Sequence, residues 1–281
     1  MTDRVRITVT DGVADVRLTR PDKLNALDAA MFTAIAEAVA TIRSSPEVRV
    51  VVLSGEGRGF CAGLDMSAFA AIAGTGSGAD FASGGDASGP SVGFGDLGDR
   101  LPGRITNLAQ EVCFGWTDLA VPVIAALHGA VLGGGLQIAL GADIRFVSPD
   151  AKLSVMEIRW GILPDMTGPQ TLPRLVGLDV AKELAFTGRT VSGEEAVALG
   201  LATHLSDQPY EDAHTLAAEI AAKNPAAVQG AKALLNAAGT RPLAESFLDE
   251  SRRMKELLGS PNQVEAVMAQ LEGRPPVFRT D

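Results

Sequence analysis

The sequence is poor in the residues that build metal centres, disulfide scaffolds and nucleic-acid surfaces. Of its 281 residues only two are cysteine, Cys61 and Cys113, and three are histidine, His128, His204 and His214. None of them stands at ligand spacing and two cysteines cannot form a disulfide framework, so neither a metal site nor a stapled scaffold is legible. Basic residues are outnumbered, 24 Lys and Arg against 34 Asp and Glu for a formal charge of −10, and they form no long run. That balance disfavours nucleic acid or an anionic membrane as a partner, while a local basic contact to a phosphate stays open. No apolar run reaches transmembrane length, and the start Met1-Thr2-Asp3-Arg4-Val5-Arg6 lacks the apolar core of a signal peptide. The expectation is a soluble cytoplasmic protein with no metal and no membrane span.

What the chain has in quantity is small and aliphatic residues. Hydrophobic residues make up 46% of it and aromatics only 5%, with 31 glycines. This composition favours an Ala-rich α/β protein with a large core. Val5–Thr10 and Val13–Thr19 read as strands joined by the hairpin signal Asp11-Gly12. Asp28 caps a helix whose apolar face is Met31, Phe32, Ile35, Val39 and Ile42. Val48–Leu53 and Val121–Leu127 are continuous apolar runs, the pattern of strands buried on both faces. A short helix is expected over Met66–Ala73 and another over Ile105–Trp116, with strands at Asp143–Val147, Ala151–Val155 and Leu201–Leu205. Short helices are expected at Thr167–Gly177 and Asp179–Phe186, and Ser192-Gly193-Glu194-Glu195 reads as a capping box. From Tyr210 the chain is helical, with starts at Asn224-Pro225, Pro242 and Ser260-Pro261. The expected division is a core over 1–205 and a C-terminal helical region over 206–281. Residues 74–103, dense in Gly, Ser, Ala and Asp, read as a flexible insertion in that core. Within it Gly74-Thr75-Gly76-Ser77-Gly78-Ala79 has the spacing of a dinucleotide-binding turn, but no strand precedes it and no helix pattern follows, so it is set aside.

Two glycine-rich loops follow two of the buried runs. Ala62-Gly63-Leu64 comes after Val48–Leu53, and Gly133-Gly134-Gly135 comes after Val121–Leu127. If those strands are parallel, both loops fall at one edge of the sheet. Two backbone N–H groups can then converge on one oxygen, as an oxyanion hole requires.

Phe60-Cys61-Ala62-Gly63-Leu64-Asp65-Met66, His128-Gly129-Ala130-Val131-Leu132-Gly133-Gly134-Gly135-Leu136 and Ala142-Asp143-Ile144-Arg145 together resemble the enoyl-CoA hydratase/isomerase (crotonase) family. Arg20-Pro21-Asp22-Lys23-Leu24-Asn25-Ala26-Leu27 and the stretch from Gly177-Leu178 to Thr187-Gly188 match it as well. The resemblance runs from about residue 5 to the C-terminus, the insertion excepted. It implies a spiral of ββα units with a C-terminal helical region used in trimerisation, as a homotrimer or a dimer of trimers. It also implies an acyl-CoA thioester substrate, with coenzyme A part of the substrate and no further cofactor. Carried over by position, the oxyanion donors are the N–H groups of Leu64 and Gly134. Lys23, Leu24, Ala26, Ala62 and Gly63 would line the CoA path, and Asp65 and Met66 would lie near the pocket.

The carboxylates differ from the family's hydratases. Those enzymes use two glutamates, and the first of them corresponds here to Gln137, an amide that cannot act as a general base but can hold a water. The second corresponds to Glu157. Eight positions on stands Asp165, where hydratases tend to carry glycine. Glu157 with Asp165 resembles the arrangement of the dienoyl-CoA isomerases, although these carry an aspartate at the position of Gln137. In such enzymes one carboxylate removes a proton and the other returns one. Three readings therefore stand: isomerisation of an enoyl- or dienoyl-CoA by Glu157 and Asp165, hydration of a 2-trans-enoyl-CoA with Gln137 holding the water, and a catalytically weak acyl-CoA-binding protein. His128 lacks a readable acidic partner and is expected to be structural.

Overall fold

The computed structural model describes residues 4–65 and 98–279. The expected helix over Met66–Ala73, the Gly74–Ala79 pattern and most of the 74–103 insertion lie outside the described residues.

The hairpin opens the fold as expected. Strand β1 (Val5–Thr10) pairs antiparallel with β2 (Val13–Leu18), from Val5 opposite Leu18 to Thr10 opposite Val13. The two turn residues, Asp11 and Gly12, both adopt positive φ, the conformation that matches the twist of adjacent strands. Helix α1 (Ala29–Arg43) then crosses over, its first turn capped by the Asp28 carboxylate, which accepts from the Met31 N–H at 2.8 Å. It returns the chain to β3 (Val50–Gly55), parallel to β2. Helix α2 (Leu108–Asp118) leads to β4 (Val123–Leu127), parallel to β3. With β6 (Ile144–Val147) and β9 (His204–Leu205) these form a six-stranded sheet in the order β1-β2-β3-β4-β6-β9. A second sheet, β5-β7-β8, is made of the short strands Ala130–Leu132, Lys152–Ser154 and Val191–Ser192. Helices α3 (Gly134–Leu140), α4 (Gly168–Val176), α5 (Leu178–Thr187) and α6 (Gly193–Leu199) complete the core. Four more follow: α7 (Pro209–Ala221), α8 (Pro225–Ala237), α9 (Leu243–Leu257) and α10 (Pro261–Glu272).

This is the expected α/β spiral of strand pairs and crossover helices followed by helices. Both faces of the central strands β3 and β4 are buried, as their continuous apolar runs require. On one face Val16, Leu53, Ala125 and Leu127 pack with Met31, Ile35, Val112 and Trp116. On the other, Val50, Val52, Ile124 and Ala126 meet Ala213, Ala217 and Ala221 of α7. Small residues on α7 let its backbone lie close over the strands, so this helix is a layer of the core although it lies beyond β9.

The structure differs from expectation at several boundaries, for local reasons. Helix α2 starts at Leu108 because Asn107 and Gln110 form a reciprocal capping box, and Ile105, assigned to that helix from its spacing, is 72% exposed. Strand β3 starts at Val50 because the Val48 N–H is spent on a turn to Ser45. At Ser192 the cap accepts from the Glu195 N–H, but the Glu195 carboxylate turns away to Arg189, so the box is only half formed.

A buried cation fastens α8 to the core. The Lys232 side chain is 6% exposed, and its ammonium donates to Asp143 at 2.8 Å, Val121 O at 2.9 Å and Trp116 O at 3.2 Å. Burial pulls its pKa below the ordinary lysine value, which Asp143 partly offsets. Removing one partner of such a pair strands the other, so Lys232→Ala should cost about 3 kcal/mol in urea unfolding. A loss below ~0.5 kcal/mol, the size of a surface substitution, would show that solvent satisfies Asp143 equally well.

Candidate active site

The two glycine loops do meet. After β3 the chain runs beside the segment that follows β4: Phe60 N–H donates to His128 O, Cys61 N–H to Ala130 O and Leu132 N–H to Cys61 O, at 2.9, 2.9 and 3.0 Å. No side chain fits between them. A Cβ on Gly63 would stand 2.6 Å from Leu132 O, and one on Gly135 would stand 2.3 Å from Cys61 O. Gly63 also sits at φ +82°, where only glycine is free of strain.

Leu64 forms a parallel bridge with Leu27: Leu27 N–H donates to Gly63 O at 2.8 Å and Asp65 N–H to Leu27 O at 3.0 Å. The flanking groups carry that bridge, so the N–H of Leu64 itself faces the other way. Gly134 opens α3, where the first N–H groups have no partner within the helix. The preceding N–H, of Gly133, goes to Ser154 O at 2.9 Å. No hydrogen bond to another described residue takes up the N–H of Leu64 or of Gly134. The Cβ position of Gly63 is 3.5 Å from the Gly134 nitrogen, so the residue before Leu64 lies against the start of α3. Leu27 and Met166 crowd Gly134 from the apolar side, each with an atom 2.9 Å from its Cβ position.

The residues expected to line the CoA path form one connected loop. Pro21–Lys23 is a 3-10 turn, and Leu24 and Asn25 both follow at positive φ. Ala26 N–H donates to Lys23 O at 3.0 Å and Ala62 N–H to Leu24 O at 2.9 Å, which brings Lys23, Leu24, Ala26 and Ala62 together. Lys23 is exposed, Leu24 and Ala62 are half-buried, and Ala26 is buried. Asp65 is buried as well, and its carboxylate is ion-paired with Arg20 at 2.6 Å, a contact that braces the loop. Met66 lies outside the described residues. Two contributors carry no role in the sequence analysis. The buried Asn25 amide donates to the carbonyls of Glu56, Gly59 and Phe60 and accepts from Arg20 N–H, and Arg20 also donates to Ala26 O. An asparagine is among the few residues at ease at positive φ, the one local sign of its place here.

The carboxylates stand beside the glycine turn in unlike surroundings. Glu157 begins a 3-10 turn (Glu157–Trp160) after β7 and is buried. Its Oε1 accepts from Gln137 Nε2 at 2.6 Å, while its Oε2 is buried without a partner among the described residues. Gln137 Oε1 accepts from Gly168 N–H at 2.9 Å. Burial pushes the Glu157 carboxyl above the ordinary glutamate range and Asp165 adds to the rise, while its own backbone N–H and the Gln137 amide oppose it. Asp165 is exposed, in a turn after Pro164 where its N–H donates to Leu163 O. Burial holds both thiols in the neutral form, Cys61 up to about 12 and Cys113 well above its ordinary value. His128 Nε2 donates to Gly57 O at 3.0 Å, a structural contact. Among the described residues no His, Cys, Asp and Glu cluster could hold a metal ion.

A carboxyl held above its unfolded value binds its proton more tightly in the folded chain. Stability is therefore lost as pH rises from the ordinary glutamate value through the folded one. Glu157→Gln removes this loss and should raise the melting temperature at pH 7. The difference should shrink as pH falls toward about 4, near the ordinary glutamate value. A lower melting temperature for the variant at pH 7 would show that the ionised carboxylate is held favourably.

A glycine-built pair of N–H groups beside one buried carboxylate is a site for holding a carbonyl while a proton moves next to it. Residues 13–278 match the family model described as enoyl-CoA hydratase/isomerase. The chain is 33% identical over 277 residues to the peroxisomal Delta(3,5)-Delta(2,4)-dienoyl-CoA isomerase of Arabidopsis thaliana, covering 98% of this chain and 95% of that one. It is 30% identical over 275 residues to the mitochondrial methylglutaconyl-CoA hydratase of Mus musculus, covering 95% and 80%. The crystal structure of an enoyl-CoA hydratase from Bacillus anthracis superposes with a TM-score of 0.82 at 26% identity, covering 99% of this chain and all of the other. The chain belongs to the enoyl-CoA hydratase/isomerase family and has its fold.

Proposed function

We propose that this enzyme shifts double bonds in an enoyl- or dienoyl-CoA, with Glu157 and Asp165 as its acid–base pair. The observation that carries the reading is the partner of Glu157. The buried carboxylate faces the neutral amide of Gln137, and the acidic group that raises its pKa among the described residues is Asp165. Hydration by two buried acids is thereby disfavoured, because the first of the two positions, residue 137, is an amide.

In this reading the thioester oxygen lies between the N–H groups of Leu64 and Gly134. Glu157, beside the same turn, takes a proton from the carbon next to the thioester. In a 3,5-dienoyl chain the electron pair of that C–H bond passes into the conjugated system, with negative charge on the held oxygen. A proton returned at the far carbon of the diene then gives the 2,4-dienoyl product. Asp165, exposed to water, is suited to return that proton and recover another from solvent. Lys23, Leu24, Ala26, Ala62 and Gly63 are proposed to follow the CoA moiety, with Asp65 bracing their loop.

The direct test offers the purified protein 2-enoyl-, 3-enoyl- and 3,5-dienoyl-CoA and follows conjugation by ultraviolet absorbance. Dienoyl turnover is expected, and Glu157→Gln and Asp165→Asn should each lower kcat at least 100-fold, the scale of a lost acid–base group. Brisk hydration of the 2-enoyl substrate without dienoyl turnover sinks the reading. Tight binding of CoA thioesters with no turnover would point to a binding protein.

Assembly as a homotrimer or dimer of trimers is proposed from α9 and α10, which leave Leu243, Phe247, Leu248, Met254, Val267 and Leu271 exposed. Sedimentation at low micromolar concentration should show three or six copies, and a lone chain would overturn the assignment. The proposed compartment is the cytoplasm. No described helix is long and apolar enough to cross a membrane, and cell fractionation distinguishes cytoplasm from the peroxisomal and mitochondrial sites for which the two relatives are named.

A further inference from the structure

We propose that Gln137 is the positioning residue of the active site, a clamp that fixes one oxygen of Glu157 and leaves the other free for the substrate. This inference rests on Glu157 being the base.

The amide has only one orientation available. Gly168 N–H can only donate and an ionised Glu157 can only accept, so Gln137 must turn its oxygen to Gly168 and its nitrogen to Glu157. A flipped amide would set oxygen against oxygen and N–H against N–H. The residue is itself 1% exposed, so water does not compete for either bond. Both anchors come from elsewhere in the chain, Gly168 at the start of α4 and Glu157 after β7, so the amide on α3 joins three elements at the reacting group.

The fit is close. A Cβ on Gly168 would stand 2.7 Å from Gln137 Oε1, so the backbone can approach the amide only because residue 168 lacks a side chain. Oε1 of Glu157 lies beside the glycine turn, 3.6 Å from the Cβ position of Gly133. With Oε1 tied on this side, Oε2 is the oxygen left without a protein partner among the described residues. A single hydrogen bond to one carboxylate oxygen thus sets the rotation of the whole group. It also favours the ionised form, which burial opposes.

The arrangement also limits what the amide can do for a water. Its oxygen already accepts from Gly168 and one N–H is donated to Glu157, so only a second lone pair and a second N–H are left for a water. Gln137 serves the carboxylate in this geometry.

The test uses the full chain carrying Gln137→Met, which keeps the side chain's length without its donor, or Gly168→Ala, which keeps the amide and displaces it. Two readouts are needed: pH profiles of kcat and KM on a 3,5-dienoyl-CoA, and the titration of the Glu157 carboxyl by carbon-13 NMR in glutamate-labelled protein, assigned through Glu157→Gln. Gln137→Met should lower kcat about tenfold or more, as losing the orienting partner of a reacting group does, with KM within about twofold. The acid limb of kcat and the Glu157 titration should both move to higher pH, and Gly168→Ala should move them the same way by less. Unchanged kcat, or a lower kcat with the Glu157 titration unmoved, overturns the clamp. The titration needs no substrate, so absence of dienoyl turnover in the unaltered protein sinks the isomerase reading alone, and a displaced titration would still uphold the clamp. If Gln137→Met does not fold, Gly168→Ala decides by the same two readouts.

Discussion

Everything at the active site depends on the backbone contact between the segment after β3 and the segment after β4. The approach is too close for side chains at four places. A Cβ on Gly59 would stand 2.8 Å from Ala130 N, and one on Gly129 only 2.0 Å from Arg58 O, while Gly63 and Gly135 are equally confined. Main-chain hydrogen bonds then fix the two segments in register, and Asn25 fastens the first of them to the loop before α1 through three carbonyls. In the proposed site this register sets the N–H groups of Leu64 and Gly134 before any substrate arrives. A donor that needs no reorganisation contributes its full effect at the moment charge develops.

Such a frame suits a carbonyl oxygen but does not choose a reaction. Relatives named as hydratases and as a dienoyl-CoA isomerase match the chain over nearly its whole length, so the choice rests on a few side chains. Residue 137 is decisive among them. A carboxylate there, 2.6 Å from Glu157, would have to share a proton with it, since two like charges at that distance do not both ionise in a buried site. An amide removes that coupling. Under the proposed assignment Glu157 is then a single base whose ionisation is opposed by burial and aided by one neutral donor, with Asp165 as its partner acid.

Much of the frame was legible in the sequence because its signals are local. Asp11-Gly12 announces the hairpin, Asp28 and Ser260 announce helix starts, and runs such as Val48–Leu53 announce strands that are covered on both faces. The glycine triplet carries its own message, since three adjacent residues without side chains imply a close approach. The missed features are those whose partners lie far off in sequence. Strands β5 and β8 are three and two residues long, too short for alternation to show, whereas β7 falls within the expected strand Ala151–Val155. Asn25 finds its acceptors 31 to 35 residues away and Asp65 finds Arg20 45 residues back, so neither role could be read from neighbours. Gln137 was visible as an amide where the hydratases of the family carry an acid, but the Gly168 N–H that orients it lies 31 residues on.

The two acids differ in their contact with water, and that difference bears on how a proton crosses a long chain. Glu157 is buried with one oxygen tied and one unpartnered among the described residues, whereas Asp165 is exposed on a turn eight residues later. A proton taken by a dry carboxylate is retained beside the carbon it came from, which favours transfer back and forth at one end of the conjugated system. A wet carboxylate exchanges its proton with solvent at every turnover. If the two act at opposite ends, the hydrogen lost next to the thioester and the hydrogen gained at the far carbon need not be the same atom. Under the proposed assignment the asymmetry argues for a two-group exchange over internal shuttling by one carboxylate, with the cycle closed when Glu157 gives up its own proton to water as product leaves.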